Sequence, residues 1–394
     1  MQKEKPFRRL REYSKKDLLD MVFESLDEHY YQHDELLPRD MDARLRNNFC
    51  WAFHGGMVFH WKSIDRCFDK FWTPEKKVIF MYSYEGHSMF EKVKRSPNDS
   101  INCLHKYYQE KNYSKEQYES TYFLNGDNNL KQRYDEWFSG KDYPYKFNVV
   151  SWNFWYSATK NDIVFEFENG RPDYDWAPKN YERFKVIGRE QFEFESLSTR
   201  KPSKDFLSLN GISKQNRDLF YDNFKDMNCY LSYLHKNISL DGMGINYTSA
   251  PSVDRLNKFH YDSYFSVVSE GGNENNTFYN DSLHNIKTHN LFITEKTWRP
   301  IHTGHPFIIS GNPGTLKILR EWGFETFPEI FDESYDEYHG KQRDKFIVSE
   351  VERVCKLDSK QKHDLFKSVE EKVIHNQNHF FENDRPVEEC IKQL

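Results

Sequence analysis

The chain has 394 residues, of which 37% are hydrophobic, 17% aromatic and 30% charged. This composition excludes a disordered chain, and the length suits two domains that each bury a core. The net charge is −6, so the chain has no overall excess of basic residues of the kind that favours nucleic-acid binding. A basic stretch from Lys3 to Lys16 is the local exception; such a run can contact phosphates, but it is more often a solvated terminus.

The six cysteines are scattered, without a Cys-x-x-Cys pair or a histidine at zinc-ligand spacing. We therefore interpret them as reduced thiols of a cytosolic protein. The first ten residues are charged and carry no apolar signal core. No window approaches the run of about 18 apolar residues that spans a membrane. We expect a soluble, cytoplasmic protein without a membrane span.

In chain order, the first clear strand signal is Lys77 to Ser83 (KVIFMYS), an apolar run that leads into Glu85-Gly86. It is typical of a buried parallel strand whose C-terminal end opens into a loop. In open α/β sheets, ligands bind at that end. Two more strands are predicted at 147–151 and 163–167.

A polar segment with a proline, Ser196 to Ser203, predicts a domain boundary that divides the chain into 1–198 and 199–394. In the second part, strand and helix signals alternate, which predicts a parallel sheet with helices on both faces. The predicted strands are 205–209, 229–233, 264–269 and 306–310. The predicted helices are 214–225 with Ser213 as its cap, 295–303, one from Pro313-Gly314 through Trp322, 343–356 and 360–375.

The most specific motif is Phe292-Ile293-Thr294-Glu295-Lys296. Thr294 can cap a helix that begins at Glu295, and a helix N-terminus offers free N–H groups and positive potential. The positive charge of Lys296 lies at the positive end of the helix dipole, which is unfavourable, so its presence there requires a functional reason. Binding a diphosphate is such a reason. Glu295 can accept hydrogen bonds from ribose hydroxyls. The alternative is an ordinary helix start with an exposed Glu-Lys pair.

Two further candidates follow strands. Asn210-Gly211 ends a predicted strand, and Arg217 lies on the next helix, which together suit a phosphate cradle. Glu85 lies at the exit of the KVIFMYS strand, where a carboxylate can deprotonate a sugar hydroxyl. The alternatives are an exposed helix arginine and a solvated loop glutamate. The glycines match neither a dinucleotide-binding fingerprint nor a P-loop, so a nicotinamide enzyme or a kinase is unsupported.

The order of the motifs along the chain resembles that of the fucosyltransferase-type glycosyltransferases of the GT-B fold. The motifs are a strand followed by Arg217, then Phe265 to Glu270, then Thr294-Glu295-Lys296 and then Gly304-His305-Pro306, with Phe292 in the usual place of a tyrosine. The resemblance lies mainly in the C-terminal half. It implies an α/β fold with two Rossmann-like domains facing a cleft and with C-terminal helices: an acceptor-side domain, 1–198, and a donor-binding domain, 199–394.

By this resemblance the chain is a nucleotide-sugar-dependent glycosyltransferase. Glu295 would hold the ribose, Lys296 and Arg217 the diphosphate, and Glu85 would be the general base. The donor site would comprise Asn210, Gly211, Arg217, Glu270, Phe292, Thr294, Glu295 and Lys296. The reaction would be an inverting displacement from a GDP- or UDP-sugar as co-substrate, with no further cofactor and no metal. The triplet Asp173-Tyr174-Asp175 imitates the Asp-x-Asp metal-binding motif, and we interpret it as a chance match.

The acceptor stays open between a glycan and DNA. A DNA-modifying enzyme, acting on a hydroxymethylated viral base in an infected host cell, would flip that base into a pocket, and its DNA binding would depend on salt. A third possibility is a non-catalytic module that binds a sugar or nucleotide. The retention of Arg217, Glu295 and Lys296 argues against it.

Overall fold

The computed structural model describes residues 49–53, 68–69, 72–74, 77–83, 90, 100–151, 153, 156, 163–167, 181–186, 196–211, 213–240, 258–270 and 290–383. The chain divides into two compact units. In the N-terminal unit the described residues are those up to 156 and 290–292; in the C-terminal unit they are those from 163 to 270 and 293–383. The predicted domain limits, 1–198 and 199–394, stay a prediction, because residues 187–195 lie outside the described part.

The N-terminal unit contains a sheet of four parallel strands that lie side by side in chain order. These are β1 (Phe49–Phe53), β2 (Lys77–Ser83), β3 (Thr121–Asn125) and β4 (Asn148–Ser151). The helices are α1 (Ser100–Glu110), α2 (Lys115–Glu119) and α3 (Leu130–Ser139). The strands predicted at 77–83 and 147–151 are confirmed as β2 and β4.

The core of the N-terminal unit is rich in aromatic rings. Val78, Phe123 and Val149 come from the sheet and pack with Tyr108 and Trp137 of the helices. The abundance of aromatic residues in the composition is explained here by core packing, which these large rings stabilise through the apolar area they bury.

The C-terminal unit begins with an antiparallel pair, β5 (Ile163–Phe167) and β6 (Tyr181–Val186). The strand predicted at 163–167 is confirmed. The second strand of this pair was not predicted.

A four-stranded, wholly parallel sheet organises the rest of the C-terminal unit. Its strands are β7 (Lys204–Asn210), β8 (Cys229–Tyr233), β9 (Ser263–Ser269) and β10 (Phe307–Ser310). The order across the sheet is β10-β9-β7-β8. The chain therefore moves from β7 outward to β8 and returns past β7 to β9, so the strand order reverses between β7 and β9.

Helices pack on both faces of this sheet. They are α4 (Gln215–Phe224), α5 (Glu295–His302), α6 (Thr315–Glu321), α7 (Gly340–Cys355), α8 (Ser359–Lys367) and α9 (Glu370–Glu382). Phe206 and Phe265 share one face, where they pack against Phe224 of α4 and Phe366 of α8. Leu207 lies on the other face, in a cavity with residues of α5. The predicted α/β fold with parallel sheets and helices is confirmed at this level.

Two local predictions were wrong. Ser213 does not cap α4: the position before the helix is Lys214, which makes no side-chain cap bond, while the Ser213 hydroxyl donates to Asp218 at 2.9 Å. The helix predicted at 360–375 is two helices, α8 and α9. The first ends at Lys367, and after the turn α9 packs along α5, where Trp298 stacks on Phe380 with ring centroids 5.9 Å apart.

Candidate functional site

The candidate site lies at the carboxyl ends of β7 and β9, where the strand order reverses. At such a switch point the connections leave the sheet in opposite directions, so adjacent strand ends stay open to a ligand. Asn210 and Gly211 end β7, and Ser269 and Glu270 end β9. Residues that are 60 positions apart in the chain are thereby brought to neighbouring positions at one edge of the sheet.

Glu270 fastens the start of α5 to the end of β9. Its carboxylate is fully buried and accepts three hydrogen bonds: from the Thr294 amide at 3.0 Å, the Thr294 hydroxyl at 2.6 Å and the Thr297 hydroxyl at 2.6 Å. A carboxylate at a helix N-terminus also interacts favourably with the helix dipole. The structure therefore gives Glu270 an architectural role: it fixes where the Thr-Glu-Lys motif begins.

The motif itself forms the first turn of α5. Thr294 caps the helix, since its hydroxyl accepts from the Lys296 amide at 3.2 Å, as predicted from the sequence. The Glu295 carboxylate is buried and lies 2.8 Å from the Lys296 ammonium. The Lys296 side chain retains 17% of its accessible surface. An ammonium group at the positive end of a helix is thus held in place by a buried carboxylate and remains accessible to an anion.

Arg299 was missed by the sequence analysis. It lies one turn after Glu295, and its side chain is buried. Burial lowers the pKa of Arg299, while the nearby carboxylates of Glu295 and Glu270 act in the opposite direction. The spacing of Glu295 and Arg299, four residues apart in a helix, is the signal that could have found this residue.

Arg217 approaches the end of β9 from α4. Its guanidinium is buried and donates through Nη2 to the Ser269 carbonyl at 3.3 Å. The preceding residue, Asn216, donates to the Glu270 carbonyl at 3.5 Å and to the Ser310 hydroxyl at 3.1 Å. Asn216 was not predicted, and it ties α4 to the ends of both β9 and β10.

Asn210 and Gly211 are both buried. The Asn210 side chain donates to the Ser208 hydroxyl at 3.1 Å, and the Gly211 carbonyl accepts from the His235 amide at 3.1 Å. Together with Arg217, these residues place polar groups of the β7–α4 connection beside those at the end of β9.

A small cavity of about 30 Å³ lies against β7, β9 and α5. Its apolar wall is formed by Leu207, Leu209, Val267, Val268 and Pro300, and its polar lining by His260, Ser266, Ser269, Lys296 and Arg299. The lining holds two cationic side chains and no carboxylate. The cavity therefore places cationic groups beside apolar ones on this face of the sheet.

The charges around the motif balance. The buried carboxylates of Glu270 and Glu295 lie beside the cations Lys296 and Arg299, and Arg217, at the end of β9, shares that edge of the sheet with the buried carboxylate of Asp344, which accepts from Ser310 at 2.7 Å. The attraction for an anion therefore comes from the accessible ammonium of Lys296 and from the helix N-terminus.

Of the remaining predicted residues, the structure describes only Phe292. Phe292 is buried and belongs to the N-terminal unit, where the neighbouring Leu291 is held by the Asp127 carboxylate at 2.9 Å and the Asn128 amide at 2.7 Å. Glu85 and the Asp173–Asp175 triplet lie outside the described residues, so their predicted roles stay predictions. In the described part of the chain, no group of three or more His, Cys, Asp or Glu side chains is arranged to hold a metal ion.

Comparison of the chain with protein-family models, with curated proteins and with solved structures finds no match. None of the helices that the structure describes is long and apolar enough to cross a membrane.

Proposed function

We propose that the chain is a glycosyltransferase that binds a nucleotide-sugar donor at the carboxyl ends of β7 and β9. One observation carries the proposal: the Thr294-Glu295-Lys296 motif begins a helix at the switch point of a parallel sheet and is held there by Glu270. Lys296 and Arg217, which were selected from the sequence for their charge, are both found at the end of β9 or the start of α5.

The donor would be a nucleoside diphosphate sugar of the GDP or UDP type. The diphosphate would bind to Lys296 and Arg217, whose charges match its own. The Glu295 carboxylate would accept from ribose hydroxyls. Glu270 accepts three hydrogen bonds from protein groups, and its part in donor binding would be to position α5.

The chemistry proposed is a single inverting displacement without a metal. Glu85 would take the proton of the acceptor hydroxyl, and the acceptor oxygen would form a bond to the anomeric carbon as the bond to the diphosphate oxygen breaks. Lys296, Arg217 and the start of α5 would stabilise the charge that develops on the departing nucleoside diphosphate, a preorganised electrostatic role. The two units would be the two domains of a GT-B fold.

The first test is a thermal-shift panel of GDP, UDP, CMP and their sugar conjugates, with Lys296→Ala beside the wild type. A nucleotide at about 100 times its dissociation constant stabilises the protein by about 2.7 kcal/mol. We expect one nucleotide to raise the melting temperature of the wild type and Lys296→Ala to lose most of that response, because the accessible ammonium is removed from the start of α5.

Lys317→Ala is the matched control. Lys317 lies on another helix of the same unit, its side chain is 75% exposed, and its ammonium lies 3.9 Å from the Glu321 carboxylate. This variant should respond to the nucleotide as the wild type does. The proposal fails if no nucleotide shifts the wild type, or if both variants lose the response equally. Once a donor is found, assays with a glycan and with hydroxymethylated DNA separate the two acceptor classes.

A further inference from the structure

Buried polar side chains line one face of the C-terminal sheet near its carboxyl edge. Strands that helices cover are normally apolar in their interior, yet four hydroxyl or amide side chains here are at most 2% exposed. They are Ser208, Asn210, Ser269 and Ser310. Most of their polar atoms are engaged: Ser208 accepts from Asn210 at 3.1 Å, and Ser310 donates to Asp344 at 2.7 Å.

Two atoms of this group are exceptions. The Ser269 Oγ and the Asn210 Oδ1 are buried and find no hydrogen-bond partner among the residues that the structure describes. A buried polar atom without a partner destabilises the folded protein, and such atoms are few in native proteins. Each therefore requires an explanation other than the stability of the fold.

The position of these atoms supplies one. Asn210 and Ser269 end the adjacent strands β7 and β9, where the strand order reverses. Ser269 also lines the cavity that contains Lys296 and Arg299, and Arg217 donates to its carbonyl at 3.3 Å. The Ser269 side chain shares its sheet face with Phe265, on the side that α4 covers. Its hydroxyl therefore lies on the side of Arg217, one of the two cationic residues that the proposed function assigns to the diphosphate.

We propose that Ser269 contacts the donor directly, with its hydroxyl donating a hydrogen bond to a phosphate oxygen of the nucleotide sugar. This inference rests on the proposed function. The Asn210 Oδ1 can only accept, and a fully ionised diphosphate has no hydrogen to donate. The proposed partner of the Asn210 Oδ1 is a hydroxyl or N–H group of the same ligand. The proposed ligand would thus place a phosphate beside such a donor, as a nucleotide sugar does.

Ser266 provides an internal contrast. It lies on the same strand and lines the same cavity, but its hydroxyl is 2.8 Å from Nδ1 of His305. The Nε2 of His305 donates to the Ser263 carbonyl at 2.8 Å, so the neutral ring accepts from Ser266 at Nδ1. Ser266 is thus committed to the fold, whereas Ser269 Oγ is left for a ligand.

The test compares Ser269→Ala with Ser266→Ala by thermal unfolding and by titration calorimetry with GDP, UDP and inorganic pyrophosphate. For Ser269→Ala we expect an unchanged or higher melting temperature, because an unpaired buried hydroxyl is removed. Its dissociation constant for the nucleotide that the wild type binds should rise about tenfold, which corresponds to about 1.4 kcal/mol. Pyrophosphate binding should weaken as well.

Ser266→Ala should behave in the opposite way, with a lower melting temperature and unchanged nucleotide affinity. Wild-type affinity in Ser269→Ala overturns the inference, and if Lys296→Ala is weakened in the same experiment the proposed function survives. If the wild type binds none of the three ligands, the proposed function and this inference fail together. Asn210→Ala should weaken the nucleotide but not pyrophosphate, and equal losses for both ligands contradict the role given to Asn210.

Discussion

Replacing Glu270 tests how the candidate site is assembled. Its carboxylate receives three hydrogen bonds from Thr294 and Thr297, and it lies near the buried guanidinium of Arg299. Glu270→Ala removes all of these interactions at once. Glu270→Gln keeps the shape and one oxygen acceptor but removes the charge.

The magnitude follows from these contacts. A hydrogen bond to a charged group contributes about 1.5–3 kcal/mol, but three bonds to one carboxylate are not additive, and removing the carboxylate also removes the cost of burying it. The loss of one partner from a buried charge pair destabilises a protein by about 3–5 kcal/mol. We therefore expect Glu270→Ala to lower the free energy of unfolding by about 3–5 kcal/mol, and Glu270→Gln by about 1–2 kcal/mol.

Urea unfolding followed by circular dichroism measures these values, and hydrogen exchange of the peptide that contains Thr294 reports the start of α5 itself. Glu352→Ala is the control, because Glu352 is 44% exposed and 3.9 Å from Lys356; it should change stability by less than about 0.5 kcal/mol. A Glu270→Ala protein within about 1 kcal/mol of the wild type, with unchanged exchange at Thr294, would refute the anchoring role.

Two further predictions concern stability. Burial lowers the pKa of His302 from 6.5 to about 4, so the unfolded chain takes up a proton in this range before the folded one does. The free energy of unfolding should fall as the pH falls from about 6.5 towards 4, and His302 should contribute about 2 kcal/mol of the loss between pH 7 and pH 5. Urea unfolding at several pH values measures this loss, and His302→Gln should show a correspondingly flatter dependence on pH. An unchanged dependence in that variant contradicts the assignment to His302. Gly323 has a φ of +91°, and a Cβ there would lie 2.7 Å from Nε2 of His379, so Gly323→Ala should lower the free energy of unfolding by about 2 kcal/mol. Gly140→Ala is the control and should leave it unchanged, because Gly140 has a φ of −98° and the nearest atom would lie 4.0 Å from the added Cβ. Equal effects of the two substitutions in thermal unfolding would be inconsistent with this reasoning.

Much of the secondary structure of the C-terminal unit could be predicted because its signals are local. A short apolar run is sufficient to place β8 at 229–233 in this unit, and β2 at 77–83 in the N-terminal unit, at the observed limits. Thr294 followed by Glu295 marks the first residue of α5, since a threonine hydroxyl at that position caps the helix. Lys296 and Arg217 were selected by charge and by position after a strand or a cap.

The rest of the site depends on contacts that no local pattern encodes. Asp218 takes the Ser213 hydroxyl away from the helix start, and nothing in the spacing indicates this. The spacing from Glu295 can mark Arg299 as its partner, but only the packing of the helix on the sheet makes Arg299 a buried residue. The partner of β5 is set by strand pairing, which the residues of 163–167 do not specify by themselves.

The sequence by itself placed most strands and helices of the C-terminal unit close to their observed limits and indicated which charged side chains follow its strands. Only the tertiary structure decided that β9 lies beside β7 and not beside β8, and that Glu270 reaches Thr294 across 24 positions of the chain. The physical reason is that helix caps and apolar periodicity act between residues a few positions apart, whereas backbone hydrogen bonds between strands and the burial of a charge depend on groups that meet only when the sheet has formed.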